Sequence, residues 1–98
     1  MIDPGQVFYF YAELSEVRAY LERDELLVNS TLKELLANLD PARFAQSHKS
    51  YVVNLDKVEK VSPMFSGNFK IFLKDARRTS IPLSRRFARG IRNILGNW

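Results

Sequence analysis

The chain has 98 residues, 46% of them apolar and 27% charged. That length supports one hydrophobic core and not two, because a domain of this size buries roughly 65% of the surface its unfolded form exposes, and the apolar-to-charged balance excludes disorder. Cysteine is absent, which removes disulfides and thiolate metal sites, and the net charge of +4 is unevenly spread.

Residues 1–40 carry three basic side chains against eight acidic ones, a net of −5; residues 41–98 carry twelve against three, a net of +9. A positive surface built from one half of a domain is the electrostatic footprint of a polyanion binder. Basic faces also occur without such a partner, so charge alone leaves the matter open. No apolar run approaches the ~20 residues that span a bilayer, and no basic-then-apolar leader opens the chain. The expectation is one domain over residues 1–98, with 1–6 as a linker or tail, in the cytoplasm and away from membranes.

In chain order, Asp3-Pro4-Gly5 signals a turn. Val7–Tyr11 is aromatic-rich and apolar on both faces, which predicts a strand sandwiched between layers. Glu13–Glu16 reads as a loop. Val17, Ala19 and Leu21 alternate with Arg18 and Tyr20, Glu22–Glu25 turns, and Leu26–Val28 returns, which predicts a hairpin. Thr31 and Glu34 have capping-box spacing. Leu32, Leu35, Leu36 and Leu39 form one apolar face, so a short helix is expected to lid the core until Asp40-Pro41 ends it.

The stretch His48-Lys49-Ser50-Tyr51-Val52-Val53-Asn54-Leu55 organises the rest. Read as one strand, it puts Tyr51, Val53 and Leu55 on one side and holds its polar entry on a rigid shelf. Val58 and Val61 continue extended to Ser62-Pro63, and Ser66-Gly67-Asn68 is a hairpin turn into Phe69, Ile71 and Leu73. Asp75–Arg77 turns again, and Thr79, Ile81 and Leu83 return. From Ser84, a candidate N-cap, the period becomes helical: Phe87, Ile91, Ile94 and Leu95 form a stripe, with Arg85, Arg89 and Arg92 on another face. Gly90 weakens this segment by about 1 kcal/mol relative to alanine, which predicts a short or distorted terminal helix. The fold class is mainly β.

Catalysis finds little footing. His48 is the only histidine, so a two-histidine metal site is impossible, and no cysteine substitutes. No nucleophile elbow and no phosphate-cradling glycine loop is present. Neither an enzyme nor a cofactor is expected. Arginine is the better lead, since its planar fork donates two parallel hydrogen bonds to phosphate or to guanine O6 and N7. Arg85 and Arg86 at a helix start would also have free backbone N–H groups beside them. A Ser-Arg-Arg junction equally serves as a solvated cap, and Lys49 as a turn lysine; the residues alone leave both readings open. For His48, a half-buried ring bonded to backbone is the stronger reading.

Taken together, Phe44 with His48–Leu55, then Leu73-Lys74-Asp75, then Ile81-Pro82-Leu83-Ser84-Arg85-Arg86 resemble the LytTR DNA-binding domain of LytR/AlgR/AgrA-type bacterial response regulators. The resemblance covers about residues 7–95 and rests on the order and spacing of motifs that are individually weak. It implies an elongated arrangement of small antiparallel sheets, with one short helix between strands and a C-terminal helix, whose loops reach successive grooves of double-stranded DNA. It further implies transcription regulation in a two-component system, paired direct repeats as target, a possible dimer on DNA, and an upstream receiver or sensor domain.

Carried over by position, Arg86 falls on a family arginine that reads a major-groove base. Lys49 falls where the family approaches the intervening backbone or minor groove. His48, Ser50, Ser84, Arg85 and Arg89 are the accompanying candidates for phosphate contact or positioning, and Val53, Asn54 and Leu55 are scaffold. The family's third contact, after the first strand, falls here on Glu13-Leu14-Ser15-Glu16, where two glutamates repel phosphate; Ser15 or Arg18 would have to serve. Ala76 stands where the family has a turn glycine, and Lys49 replaces the commoner arginine. Two rival readings are a β module for single-stranded nucleic acid and a module whose arginines meet an acidic protein. The first needs exposed aromatics, and the aromatics here mostly alternate toward the core.

Overall fold

The computed structural model describes residues 3–96. Strands form where β-branched and aromatic residues alternate, and helices where the apolar period shifts to 3.6. In order, these are β1 (Tyr9–Glu13), β2 (Glu16–Tyr20), β3 (Glu25–Val28), α1 (Leu32–Asn38), β4 (Phe44–His48), β5 (Tyr51–Asn54), β6 (Val58–Pro63), β7 (Phe69–Leu73), β8 (Ser80–Leu83) and α2 (Arg85–Leu95). Two antiparallel sheets result, one ordered β3-β2-β1-β5-β4 and the other β6-β7-β8. The described residues extend 35 × 27 × 25 Å.

The five-stranded sheet is buried on both faces, and β5 shows how. Val52 joins Phe10, Val17, Ala19, Phe44 and Leu32 beneath α1. Val53, its neighbour, points the other way and packs with Ile71, Leu73, Ile81 and Leu83 of the second sheet and Ala88 and Ile91 of α2. Each fully buried aliphatic side chain here stabilises the fold by roughly 1.5–3 kcal/mol. Asn54 is buried too, and satisfied: its Nδ2 donates to the Val7 carbonyl at 2.8 Å and its Oδ1 accepts from the Asp56 N–H at 3.0 Å.

Helix α1 begins with the expected reciprocal cap. Thr31 Oγ1 accepts from the Glu34 N–H at 3.1 Å, and Glu34 Oε1 accepts from the Thr31 N–H at 2.8 Å. The Thr31 N–H, with the Thr31 and Ser30 hydroxyls, holds the Glu34 carboxyl below its ordinary range.

Several expectations need correcting. The organising stretch is not one strand: β4 and β5 form a hairpin whose two-residue turn is Lys49-Ser50, with His48 opposite Tyr51. Neither turn residue has positive φ, and a bulge between Gln46 and His48 adjusts the twist that a primed turn would otherwise supply. After Asp75 the left-handed residue is Arg78 (φ 53) and not Ala76, so the missing glycine costs nothing at Ala76. Asp75 closes that turn by accepting from the Thr79 N–H at 2.8 Å and from the Thr79 hydroxyl. Helix α2 runs unbroken through Gly90, where an added Cβ would meet nothing within 4 Å.

Candidate nucleic-acid interface

The hairpin turn Lys49-Ser50 is built to be rigid. The Ser50 N–H donates to His48 Nδ1 at 3.1 Å, Gln46 Nε2 donates to the Lys49 carbonyl at 3.3 Å, and the His48 ring meets Tyr51 edge-on at 5.6 Å. His48 is therefore a half-buried brace bonded to backbone. Lys49 is exposed at the tip.

Four loops follow one another along this side of the molecule, tied by hydrogen bonds between segments far apart in sequence. The Ala12 N–H at the end of β1 donates to the Ser50 carbonyl at 2.9 Å, which puts the β1–β2 turn beside the β4–β5 turn. The Ser84 N–H donates to the Ser47 carbonyl at 2.8 Å, which joins the same hairpin to the start of α2. The Arg85 N–H donates to Asn68 Oδ1 at 3.4 Å, which joins the start of α2 to the β6–β7 loop. Ser47 lies at the centre of this arrangement, fully buried; its Oγ finds no hydrogen-bond partner among the described residues.

At the β8–α2 junction, Ser84 has N-cap backbone angles, but its hydroxyl makes no capping bond, contrary to expectation. The free N–H expected at Arg85 is also spent, on Asn68. The Arg85 guanidinium lies across Gly67: a Cβ on that residue would stand 3.3 Å from Nη1 and 3.4 Å from Cζ. Gly67 has φ +77, so it is glycine for two reasons at once. The Arg86 guanidinium sits over the Phe87 ring, 5.2 Å from its centroid, and Phe87 packs against the core. Arg85, Arg86 and Arg89 are all exposed, and among the described residues none of the three forms a salt bridge.

The β1–β2 turn is different. Leu14 is 100% exposed with φ 58, beside exposed Ser15, and Glu13 stands opposite Glu16 across the hairpin. Arg18 is engaged within the sheet: its Nη2 meets Glu16 at 3.0 Å and its Nη1 meets Glu25 at 3.2 Å. The hydrogen bond and charge of Glu16, reinforced by Glu25, hold its guanidinium above its ordinary range.

Behind the turns, Tyr9 and Tyr20 stack at 4.5 Å and Tyr11 and Tyr51 at 4.6 Å across the sheet. Burial, with Tyr20 and Tyr51 adding to it, pushes the Tyr9 hydroxyl up to about 12. The sequence reading brought Lys49, Ser50, Ser84, Arg85 and Arg86 to one place and gave the β6–β7 loop no part. Its signal was available: a Phe-Ser-Gly-Asn tip between lysines, with no acidic residue from Lys60 to Lys74.

Among the described residues there is no group of acidic or histidine side chains suited to a metal ion, and no helix is long and apolar enough to cross a membrane. A family model, the LytTr DNA-binding domain, matches residues 1–96; that family is a binding domain, not a catalytic one. The chain is 32% identical over 96 residues to the sensory transduction protein LytT of Oceanobacillus iheyensis, covering 97% of this chain and 39% of that protein. It is 28% identical over 88 residues to the transcriptional regulatory protein YpdB of Escherichia coli K12, covering 88% of this chain and 36% of that one. The chain thus spans well under half the length of these curated relatives. A solved LytTr DNA-binding domain from Bacillus cereus has the same fold, with a TM-score of 0.85 at 22% identity over 95% of this chain and 84% of that one. Motif order, fold and family model agree, and the chain belongs to the LytTr DNA-binding domain family.

Proposed function

We propose that the chain binds double-stranded DNA with sequence specificity, through loops that enter successive grooves, as the effector domain of a bacterial two-component transcription regulator. Arg86 reads a base edge in a major groove. Lys49 meets the backbone or minor groove beside it, and Ser50, Ser84, Arg85 and Arg89 contact phosphate or hold the readers in place. His48 acts by bracing the turn, and Arg18 and Ser15 stand at the periphery. Paired direct repeats, a dimer on DNA and a receiver or sensor elsewhere in the protein complete the proposal.

The observation that carries the reading is the 2.8 Å bond from the Ser84 N–H to the Ser47 carbonyl, which ties the lysine turn to the arginine junction. Two exposed cationic points fixed relative to each other suit a rigid, periodic polyanion better than a deformable partner. The tyrosines are half-buried and stack on one another, so that among the described residues Phe65 is the one largely exposed aromatic, where a single-strand binder needs a succession of rings for successive bases.

The test is selection from a random duplex library, followed by titration of Arg86→Ala on the selected duplex and on a random one. The expected loss is about 1–3 kcal/mol on the selected duplex, with relaxed choice at one base pair. Equal loss on both duplexes makes Arg86 a phosphate clamp. No duplex binding by the unaltered chain at low salt makes the arginines a docking point for an acidic protein.

A further inference from the structure

Phe65 sits at the tip of the β6–β7 loop with 94% of its surface exposed. Met64 beside it is also exposed, and neither belongs to a core cluster. The loop that presents them is not loose. The Met64 N–H donates to the Asn68 carbonyl at 2.8 Å, and Asn68 Oδ1 receives the Arg85 N–H. Ser66 (φ 72) and Gly67 (φ 77) both take left-handed backbone, an unfavourable conformation for a serine. A loop held in this way, with its largest apolar side chain pointing at water, has the form of a contact surface.

Its neighbours decide what it contacts. The Arg85 guanidinium lies on Gly67, Lys70 is exposed two residues beyond Asn68, and no acidic residue occurs between Lys60 and Lys74. Glu59 and Asp75, the nearest acids in sequence, belong to the opposite end of the β6–β7 hairpin. The loop also adjoins the arginine junction, through the Arg85 N–H on Asn68, and the Ser84–Ser47 bond ties that junction to the lysine turn.

Building on the DNA-binding reading above, we infer that the Met64–Asn68 loop is the third contact of this domain with the duplex, in place of the acid-flanked β1–β2 turn. Phe65 enters the minor groove next to the major groove addressed by Arg86, on the side away from Lys49. There the ring acts as an apolar wedge that opens the groove and bends the DNA, a use that minor-groove proteins make of Phe, Leu and Met. Arg85, held against Gly67, neutralises the phosphates at the entrance.

The experiment uses the 98-residue chain and the duplex recovered by selection, end-labelled for energy transfer. Phe65→Ala, at a solvent-exposed site, leaves the fold intact by circular dichroism. It is expected to weaken binding about tenfold, as loss of a ring buried on association does, and to reduce the bend. The slope of log affinity against log salt stays unchanged, because no counterion is released by a phenyl ring. Phe65→Leu retains part of both affinity and bend. If Phe65→Ala binds and bends like the unaltered chain while Arg86→Ala loses affinity, the third contact is overturned and the DNA-binding reading stands. If the unaltered chain recovers no duplex, the reading beneath it fails as well. A loss on single strands equal to that on the duplex also overturns the wedge.

Discussion

The loop row ends in two tips that look alike and are placed in opposite fields. At one end, Leu14 projects fully into water from the β1–β2 turn, with Glu13 and Glu16 on either side and Arg18 engaged by Glu16 and Glu25. At the other, Phe65 projects from the β6–β7 loop, with the Arg85 guanidinium packed on Gly67 beneath it. Both turns contain a non-glycine residue at positive φ, Leu14 and Ser66. Exposure and backbone strain therefore do not separate the two ends; charge does. A polyanion is repelled at the first and drawn to the second, so the duplex is expected to follow the row from the β4–β5 turn toward the β6–β7 loop and to leave the β1–β2 turn uncovered.

The comparison breaks first at Arg86. Arg86→Ala is expected to cost about 1–3 kcal/mol on the selected duplex, measured by fluorescence anisotropy. Gly67→Ala comes next. Its φ of +77 and the guanidinium 3.3 Å from the new Cβ predict about 1 kcal/mol less stability in urea denaturation. Displacing Arg85 weakens binding too, so adding Arg85→Ala in that background changes affinity little further. At the acidic end, Glu13→Gln with Glu16→Gln is expected to tighten binding by less than about 1 kcal/mol at low salt, and the gain vanishes as salt is raised. An equal gain at high salt contradicts the repulsion. Lys49→Ala gives a small, sequence-independent loss, with the salt slope shallower by about one unit. The effect that vanishes at neutral pH is on stability alone. Burial pushes the folded Tyr9 hydroxyl up to about 12, whereas the same phenol ionises near pH 10 once unfolded. Its contribution is therefore complete below pH 10 and lost as pH rises toward 12, and Tyr9→Phe flattens that part of the pH profile.

Much of the scaffold was legible in the residues. The alternation of Phe69, Ile71 and Leu73 and of Ile81 and Leu83 marked β7 and β8, and Thr31 with Glu34 marked the start of α1. The lysine turn was read as the entry to a strand because Lys-Ser carries none of the glycine or asparagine chemistry that flags a two-residue hairpin. The bulge at Gln46 and His48 and the His48 Nδ1 bond do that work, and neither has a sequence signature. Ser84 was recognised as an N-cap position, but its hydroxyl makes no capping bond, because cap identity follows from side-chain orientation. Arg18, expected with Ser15 to serve as the third contact, has two carboxylate partners, one on β2 and one across the β2–β3 pair, and only strand register brings the second close. The row of loops depends on Ser47 meeting Ser84 and Asn68 meeting Arg85, contacts between segments 37 and 17 residues apart. No local pattern encodes them.

The central claim is that the lysine turn and the arginine junction meet one duplex side by side. The chain has no cysteine, so Lys49→Cys and Arg86→Cys each offer a single attachment point for a cleavage reagent. Tethered to either position, at protein concentrations that saturate the duplex despite the affinity lost with Arg86, the reagent is expected to cut the selected duplex on one face, at sites about five base pairs apart, half a helical turn. Cutting from only one of the two positions, or on opposite faces of the duplex, contradicts the account.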